Sequence, residues 1–528
     1  MSQSRILVLA SLFLMIAGNA GLYQAVTQTY PINSDNLLFL ISLFFVFWAV
    51  NVFLLGLVCF RVTIKWLLPI IFVCSSQAAY FMDTYNVVID DTMLENALAT
   101  DTAETLDLLS IQQLLYLLFI GLLPSWLVIK LPIDEVSWGR ALLQRAALMV
   151  SAIVVIAICV GSLSTFYASF LREHKQLRFY ANPSYYLYSV GRLVKNRVDV
   201  TDRTLKTRGD DAVQASHDKR RLVVVIVGET VRSDHFGLNG YTRQTTPLLA
   251  ARKDIFSFTD VWSCGTSTAF AVPCMFALEG MDDYDRDEAR YIENVLDIAK
   301  KVGVNVVWID NNSDSKGVAD RVSFVDYKNP KNNPVCDDEC RDEGMLQGLT
   351  DVIQQRTTGD IVVVLHQMGN HGPAYYRRYP AAYEKYTPVC KTNQLEKCPR
   401  EHIVNAYDNI IHYTDYVVNG VIETLQNYQT EFATSMLYVS DHGESLGENN
   451  LYLHGLPYAF APDEQKRVPM VLWLGNGVLA EDQHAAVKAK LNDTLSHDVI
   501  SHTLMGLLGI SSSEYRADWD LLGEVRDR

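Results

Sequence analysis

Uncharged apolar runs fill the first third of the chain, at 6–26, 37–60, 66–82, 110–129 and 146–171. Each is near the ~20 residues that cover a hydrocarbon core, so the pattern predicts five transmembrane helices. The third run is the shortest and carries Pro69 and Gln77. Arg5 ahead of the first run resembles the start of a secretory signal, but no small-residue cleavage site follows and further spans do, which predicts an uncleaved anchor. Arg5, then Arg61 and Lys65, then Lys130, Arg140 and Arg145 fall on one side, whereas the loops 27–36 and 83–109 hold no Lys or Arg. The positive-inside bias therefore predicts a cytoplasmic amino terminus and puts everything after Leu171 outside.

Two polar stretches interrupt or follow these runs. The outer loop has helical spacing at about 90–108 and brings Asn96, Thr100 and Glu104 onto one face by i, i+4 repetition; a plain solvated helix shows the same pattern. From 172 to 220 the chain is basic at Arg172, His174, Lys175 and Arg178, then Tyr-rich, then polar. Cations beside tyrosines suit a headgroup layer, and a bridging interfacial helix is expected there. After it, short β-branched runs at 222–227, 304–309, 361–365, 436–439 and 470–474 alternate with helical stretches, which predicts one α/β domain with a mostly parallel sheet. The expected domains are thus 1–171 in the membrane, 172–220 as linker and 221–528 as an outer α/β domain.

Composition sharpens this division. The chain has 528 residues, is 49% hydrophobic and carries a net charge of -15, which argues against nucleic acid as a partner. Cys59, Cys74 and Cys159 lie within predicted spans. The other six cysteines come after the last span in close pairs, Cys264 and Cys274, Cys336 and Cys340, Cys390 and Cys398. Close pairs on the outer side suggest three local disulfides in an oxidising compartment. A zinc knuckle is the rival reading of 336–340, and it lacks a second pair of suitable spacing.

Chemistry gathers where the strands stop. Glu229 follows the first β-branched run and Gly228, with Thr230, Arg232, Asp234 and His235 next. Ligands collect at strand carboxyl ends in open α/β sheets, so Glu229 is a candidate metal ligand or catalytic group, although a helix-capping role is commoner. SCGTSTAFAVPCMF at 263–276 offers Thr266 or Thr268 as a nucleophile at a helix amino terminus, where the dipole favours an alkoxide. A further strand ends in Asp441 and His442, with Glu444 and His454 after it; carboxylate and imidazole together suit Zn2+. HQMGNHG supplies His366 and His371, one of them a candidate core histidine, and DNNSDSKG supplies Asn312 and Lys316, suited to a phosphate oxygen. Four strands ending this way carry more weight than any one motif.

GETVRSDHFGLNGY, CGTSTAFAVPCMF, DNNSDSKG, HQMGNHGPAYY and SDHGESLGENNLYLHGLP occur in this order. Together they resemble the lipid A phosphoethanolamine transferases, the family that includes the mobile colistin-resistance enzymes, over essentially the full chain. The resemblance implies a five-span α-helical membrane domain joined to an α/β sandwich of the alkaline phosphatase and sulfatase type, in the bacterial inner membrane with the catalytic domain in the periplasm. It implies Thr268 as nucleophile, and Zn2+ held by Glu229, Thr268, Asp441 and His442. By the same match His371, His454, Glu444, Asn312 and Lys316 would bind the phosphoethanolamine group or a second zinc. Asn96, Thr100 and Glu104 match a membrane-domain segment that faces the site, and the cysteine pairs are 264–274, 336–340 and 390–398. The implied reaction moves phosphoethanolamine from phosphatidylethanolamine to a phosphate of lipid A through a covalent threonine intermediate. Masking that negative charge would confer resistance to polymyxin and other cationic peptides. A monomer is expected. Inner-core heptose, Kdo or a periplasmic glucan are alternative acceptors, and phosphoglycerol transfer is an alternative reaction. A sulfatase would need a Cys-x-Pro-x-Arg setting that neither Cys264 nor Cys274 has, and a non-catalytic lipid-binding scaffold would not need all these ligands.

Overall fold

A computed structural model describes residues 1–99, 105, 108–199 and 204–523. The chain forms two units, Met1–Leu94 with Leu109–Lys195, and Glu95–Leu108 with Asn196–Arg528.

In the first unit Ser34–Val58, Ile64–Tyr85, Ile111–Lys130 and Trp138–Ser162 are long and apolar enough to cross a membrane. Gln3–Ala17 and Ala20–Thr29 bend by 61° at the break between them and make a fifth span if taken together. The continuous helix expected over 6–26 is therefore a broken one. Its break at Gly18 and Asn19 is stabilised by Asn182, whose Nδ2 donates to the Gly18 and Ser75 carbonyls at 2.9 Å. Asn19 in turn donates to the Asn182 carbonyl at 2.7 Å and accepts from its backbone N–H at 2.9 Å. Partners of this kind are what let a helix break at membrane depth, where bare backbone groups are costly.

The last span begins before the apolar run at 146 and stops at Ser162, with a separate helix Ser164–Glu173 after it. Charge ends a hydropathy run without ending a helix. Arg145 turns its guanidinium to the Leu57 carbonyl at 2.6 Å and lies 3.6 Å from the Phe60 ring centre. Of the two polar stretches, the outer loop forms the helix Asp91–Ala99, which includes Asn96, and the linker forms Ser184–Asp199. Thr100 and Glu104 lie outside the described residues.

The second unit is built on an eight-stranded sheet. In chain order its strands are β1 (Arg220–Gly228), β2 (Ile255–Trp262), β3 (Asn305–Asp310), β4 (Ser323–Asp326), β5 (Ile361–His366), β6 (Phe432–Ser440), β7 (Arg467–Leu474) and β8 (Thr494–Ser496). Across the sheet they run β8, β2, β7, β6, β1, β5, β3, β4. All neighbours are parallel except β7, which is antiparallel to both β2 and β6.

β1 sits at the centre because both of its faces are apolar. Val223, Val225 and Val227 belong to a core with Phe256, Met275, Phe276 and Leu504. Leu222, Val224 and Ile226 face a second core with Leu349, Tyr407, Ile410 and Val417. The long helix Arg400–Asn427 supplies much of that second layer. Three disulfides, Cys264–Cys274, Cys336–Cys340 and Cys390–Cys398, close local loops of this unit.

Candidate metal centre

Strand register alone brings the motifs level. Gly228 of β1 pairs with Ser440 of β6, Val227 with His366 of β5, and His366 with Asp310 of β3. The residues that follow these strand ends, Glu229, Asp441, Gln367 and Asn311, therefore leave the same edge of the sheet. Thr268 reaches that edge as the first residue of the helix Thr268–Phe276, with Ser267 at the cap. Its hydroxyl sees the positive end of the helix dipole.

Four side chains converge here. Thr268 Oγ1 lies 3.2 and 3.3 Å from the two Glu229 carboxylate oxygens and 3.3 Å from His442 Nε2. His442 Nε2 is 3.2 Å from Asp441 Oδ2 and 3.7 Å from Glu229 Oε1. Glu229, Asp441 and His442 are fully buried, and one ligating atom from each lies within 4.8 Å of the others. Among the described residues this is the group of three or more acidic, His or Cys side chains suited to a metal ion.

The donor chemistry fits a divalent cation. Asp441 Oδ1 accepts from the backbone N–H groups of Thr230 and His442, at 3.0 and 2.8 Å, while Oδ2 is buried with no hydrogen-bond partner among the described residues. His442 Nδ1 lies 2.9 Å from the Gly443 carbonyl, a placement that keeps the proton on Nδ1 and turns the Nε2 lone pair toward the two carboxylates. Burial pushes the His442 imidazole well below its ordinary range, with neighbouring His454 adding to the effect. Burial also pushes the Asp441 carboxyl up. Two buried carboxylates beside a neutral imidazole, with one oxygen unmatched, form a site that a cation completes.

The surrounding candidates divide by what they touch. Asn312 Nδ2 donates to Glu229 Oε2 at 2.8 Å and to the Gln367 carbonyl at 2.7 Å. Lys316 Nζ donates to Ser313, at 2.9 Å to its carbonyl and 2.8 Å to its hydroxyl. His454 Nδ1 lies 3.3 Å from Glu444 Oε1, and its ring is 4.3 Å from that of His442 and 6.2 Å from that of His371. His366 is the core histidine of its pair: its Nδ1 meets Asp310 Oδ2 at 2.9 Å, and its Trp308 neighbour bonds the same carboxylate. Thr266, the other hydroxyl candidate, donates instead to the Leu456 carbonyl at 2.6 Å.

Sequence reasoning missed the residues that hold the loops. His497 links the Cys264 N–H to the Ser440 carbonyl, at 3.2 and 3.0 Å, so it ties the Thr268 loop to the end of β6. Burial pushes its imidazole down to about 4 and keeps it neutral. It immediately follows β8 and precedes Asp498, the same strand-end signature that marks Asp441 and His442. Asp342 accepts from the Met368 and Gly369 N–H groups, at 2.9 and 3.0 Å, and so fixes the loop that carries His371.

Comparison with known proteins bears on the whole chain. Residues 221–510 match the Sulfatase family model and residues 47–198 match the model for Phosphoethanolamine transferase EptA/EptB. Phosphatidylethanolamine transferase Mcr-1 of Escherichia coli is 43% identical over 96% of this chain and 95% of its own. Phosphoethanolamine transferase EptA of Escherichia coli K12 is 37% identical over 98% and 96%. Among solved structures, the integral membrane lipooligosaccharide phosphoethanolamine transferase A of Neisseria meningitidis superposes with a TM-score of 0.94 at 35% identity, covering 99% of both chains. With a membrane half and a catalytic half that both match across nearly their full length, the chain belongs to the EptA/EptB phosphoethanolamine transferase family.

Proposed function

We propose that the protein transfers phosphoethanolamine from phosphatidylethanolamine to a phosphate of lipid A, with Thr268 as the covalent carrier. The observation that carries this reading is the position of Thr268 Oγ1, within 3.3 Å of both Glu229 and His442 in a buried cluster with Asp441. A donor and an acceptor of this kind are named by its relatives, one a phosphatidylethanolamine transferase and one a lipooligosaccharide transferase. Both lipids are confined to a membrane surface, which suits a catalytic domain anchored by helices and facing the periplasm from the inner membrane.

Glu229, Thr268, Asp441 and His442 would hold one Zn2+, a mixed oxygen and nitrogen set of the kind that ion takes. When bound, such an ion stabilises an ionised hydroxyl and the charge on phosphoryl oxygens. In the first displacement Thr268 Oγ1 bonds to the donor phosphorus as the bond from phosphorus to the glycerol oxygen breaks, and diacylglycerol leaves with a proton. In the second, an oxygen of the acceptor phosphate bonds to the same phosphorus as the bond to Thr268 Oγ1 breaks, and the proton lost by the acceptor restores the Thr268 hydroxyl. Asn312 orients Glu229, and with His371, His454, Glu444 and Lys316 it borders the phosphoethanolamine group or a second zinc. Every group named comes from one chain, so a monomer suffices. The ammonium group added to the acceptor offsets its phosphate charge, which weakens the binding of polymyxin and other cationic peptides.

The test is a headgroup-labelled donor given to the full-length enzyme. Label on Thr268, located by peptide mass spectrometry and absent in Thr268→Ala, together with phosphoethanolamine on lipid A, is expected. Label that persists in Thr268→Ala would refute the assignment.

A further inference from the structure

A cavity of about 370 Å3 in the catalytic unit opens beside the nucleophile helix, bordered by Ala269, Pro273, Tyr284, Arg286, Ser313 and Lys316 among others. Ala269 is the residue after Thr268, so this space borders the first turn of the nucleophile helix. Two of its polar groups have unmet hydrogen-bonding capacity. Tyr284 Oη and Arg286 Nη1 are both buried, and neither has a hydrogen-bond partner among the described residues. The second guanidinium nitrogen of Arg286 is satisfied, by Glu95 of the same unit at 2.6 Å. A buried polar group left without a partner is costly, so both groups favour a ligand that supplies one.

The two groups sit together. The Tyr284 ring meets the Phe270 ring edge-on at 5.3 Å, and the Arg286 guanidinium carbon lies 5.8 Å from the centre of that same ring. Phe270 is two residues beyond Thr268 in the first turn of the nucleophile helix. Burial raises the Tyr284 hydroxyl above its ordinary range, so it stays protonated and able to donate.

The walls of the cavity indicate which substrate fits. Glu279 and Glu293 are ion-paired away, to Arg208 and Lys301, both at 2.5 Å. Arg290 is exposed on the same cavity, and Asp314 and Asp320 also border it. Ala277, Ile292 and Val318 add apolar wall beside these charged groups, so the cavity is mixed in character. A phosphorylated sugar would be well matched, since its phosphate takes N–H and O–H donors and its hydroxyls can donate to carboxylates.

We propose that Tyr284 and Arg286 form a subsite for the glycan phosphate portion of the acceptor, beside the place where the transferred group is bound and sharing Lys316 as a wall with it. This inference rests on the function proposed above. It makes the two residues determinants of acceptor affinity, engaged after Thr268 has been loaded.

Full-length enzyme in detergent micelles with phosphatidylethanolamine and lipid A allows the two half-reactions to be read separately. Tyr284→Phe removes one oxygen and keeps the ring. The Arg286→Gln with Glu95→Gln double variant removes the guanidinium without stranding its carboxylate partner. In each, the acceptor KM is expected to rise on the order of tenfold, the size of one lost hydrogen bond to a charged group. Labelling of Thr268 by the donor should stay within about twofold of wild type. An acceptor KM unchanged in Tyr284→Phe, or labelling slowed as much as transfer, overturns the subsite. Wild-type enzyme that takes no label from the donor overturns the parent reading, and the subsite with it.

Discussion

Asn312 Nδ2 donates 2.8 Å to Glu229 Oε2 while also donating 2.7 Å to the Gln367 carbonyl, so an amide at the end of β3 fixes a carboxylate at the end of β1. Glu229 is in turn one of the groups that reach Thr268 Oγ1. Removing an orienting partner of this kind costs about 10–100-fold in metal affinity or activity. Asn312→Ala should therefore lose transfer within that range and retain less zinc after dialysis, as measured by metal analysis of the purified protein. Full zinc retention with normal transfer would show that the amide does not orient the ligand.

Gly369 tests how closely the neighbouring loop must approach the same carboxylate residue. Its φ is +48°, and a Cβ there would come 3.0 Å from the Glu229 backbone nitrogen, carbonyl oxygen and Cβ. Its own N–H is held by Asp342, and the next residue, Asn370, donates to the Glu229 carbonyl at 3.0 Å. Neither side can yield without breaking a buried hydrogen bond. Gly369→Ala should cost about 1–2 kcal/mol from the left-handed conformation alone. Displacement of Glu229 should also lower kcat. Thermal unfolding and initial rates of the purified variant measure the two effects. A fully active variant of unchanged stability would mean the loop has room that the packing denies.

These two relationships show what the residue pattern could and could not reveal. The apolar runs marked the central strands because β1, β5 and β6 are buried on both faces and read as unbroken β-branched stretches. β2 escaped notice because it is half buried, with Ser257, Thr259 and Asp260 interleaved among its apolar residues. The antiparallel course of β7 was equally hidden, since a buried strand has the same composition in either direction. At the site, the strand-end carboxylates and histidines were legible one by one. Residue chemistry alone left Thr266 and Thr268 open and the family resemblance chose Thr268; in the fold Thr268 faces Glu229 while Thr266 donates to the Leu456 carbonyl. The contact of Asn312 with Glu229 was not legible beside its reading as a phosphate ligand, because an amide has the same chemistry toward a carboxylate as toward a phosphate oxygen.

Asp415 gives the catalytic unit a pH dependence away from the metal site. It lies in the helix Arg400–Asn427 and accepts from the Leu248 and Leu249 N–H groups, at 2.8 and 2.9 Å, at the start of the helix Pro247–Ala250. Burial raises its carboxyl from 3.8 to about 6, against the opposing effect of those two hydrogen bonds. The folded state then holds this proton more tightly than the unfolded chain does. Its contribution to stability is fully present below about pH 4 and is lost as pH rises through 6, by on the order of 3 kcal/mol. Asp415→Asn cannot ionise and should remove this component, so its unfolding temperature should change less than wild type between pH 4 and pH 7. The amide keeps one acceptor for two N–H groups, and a loss of about 1 kcal/mol at all pH values should accompany the flatter profile. Parallel pH profiles for the two proteins would show that the carboxyl titrates normally in the folded chain.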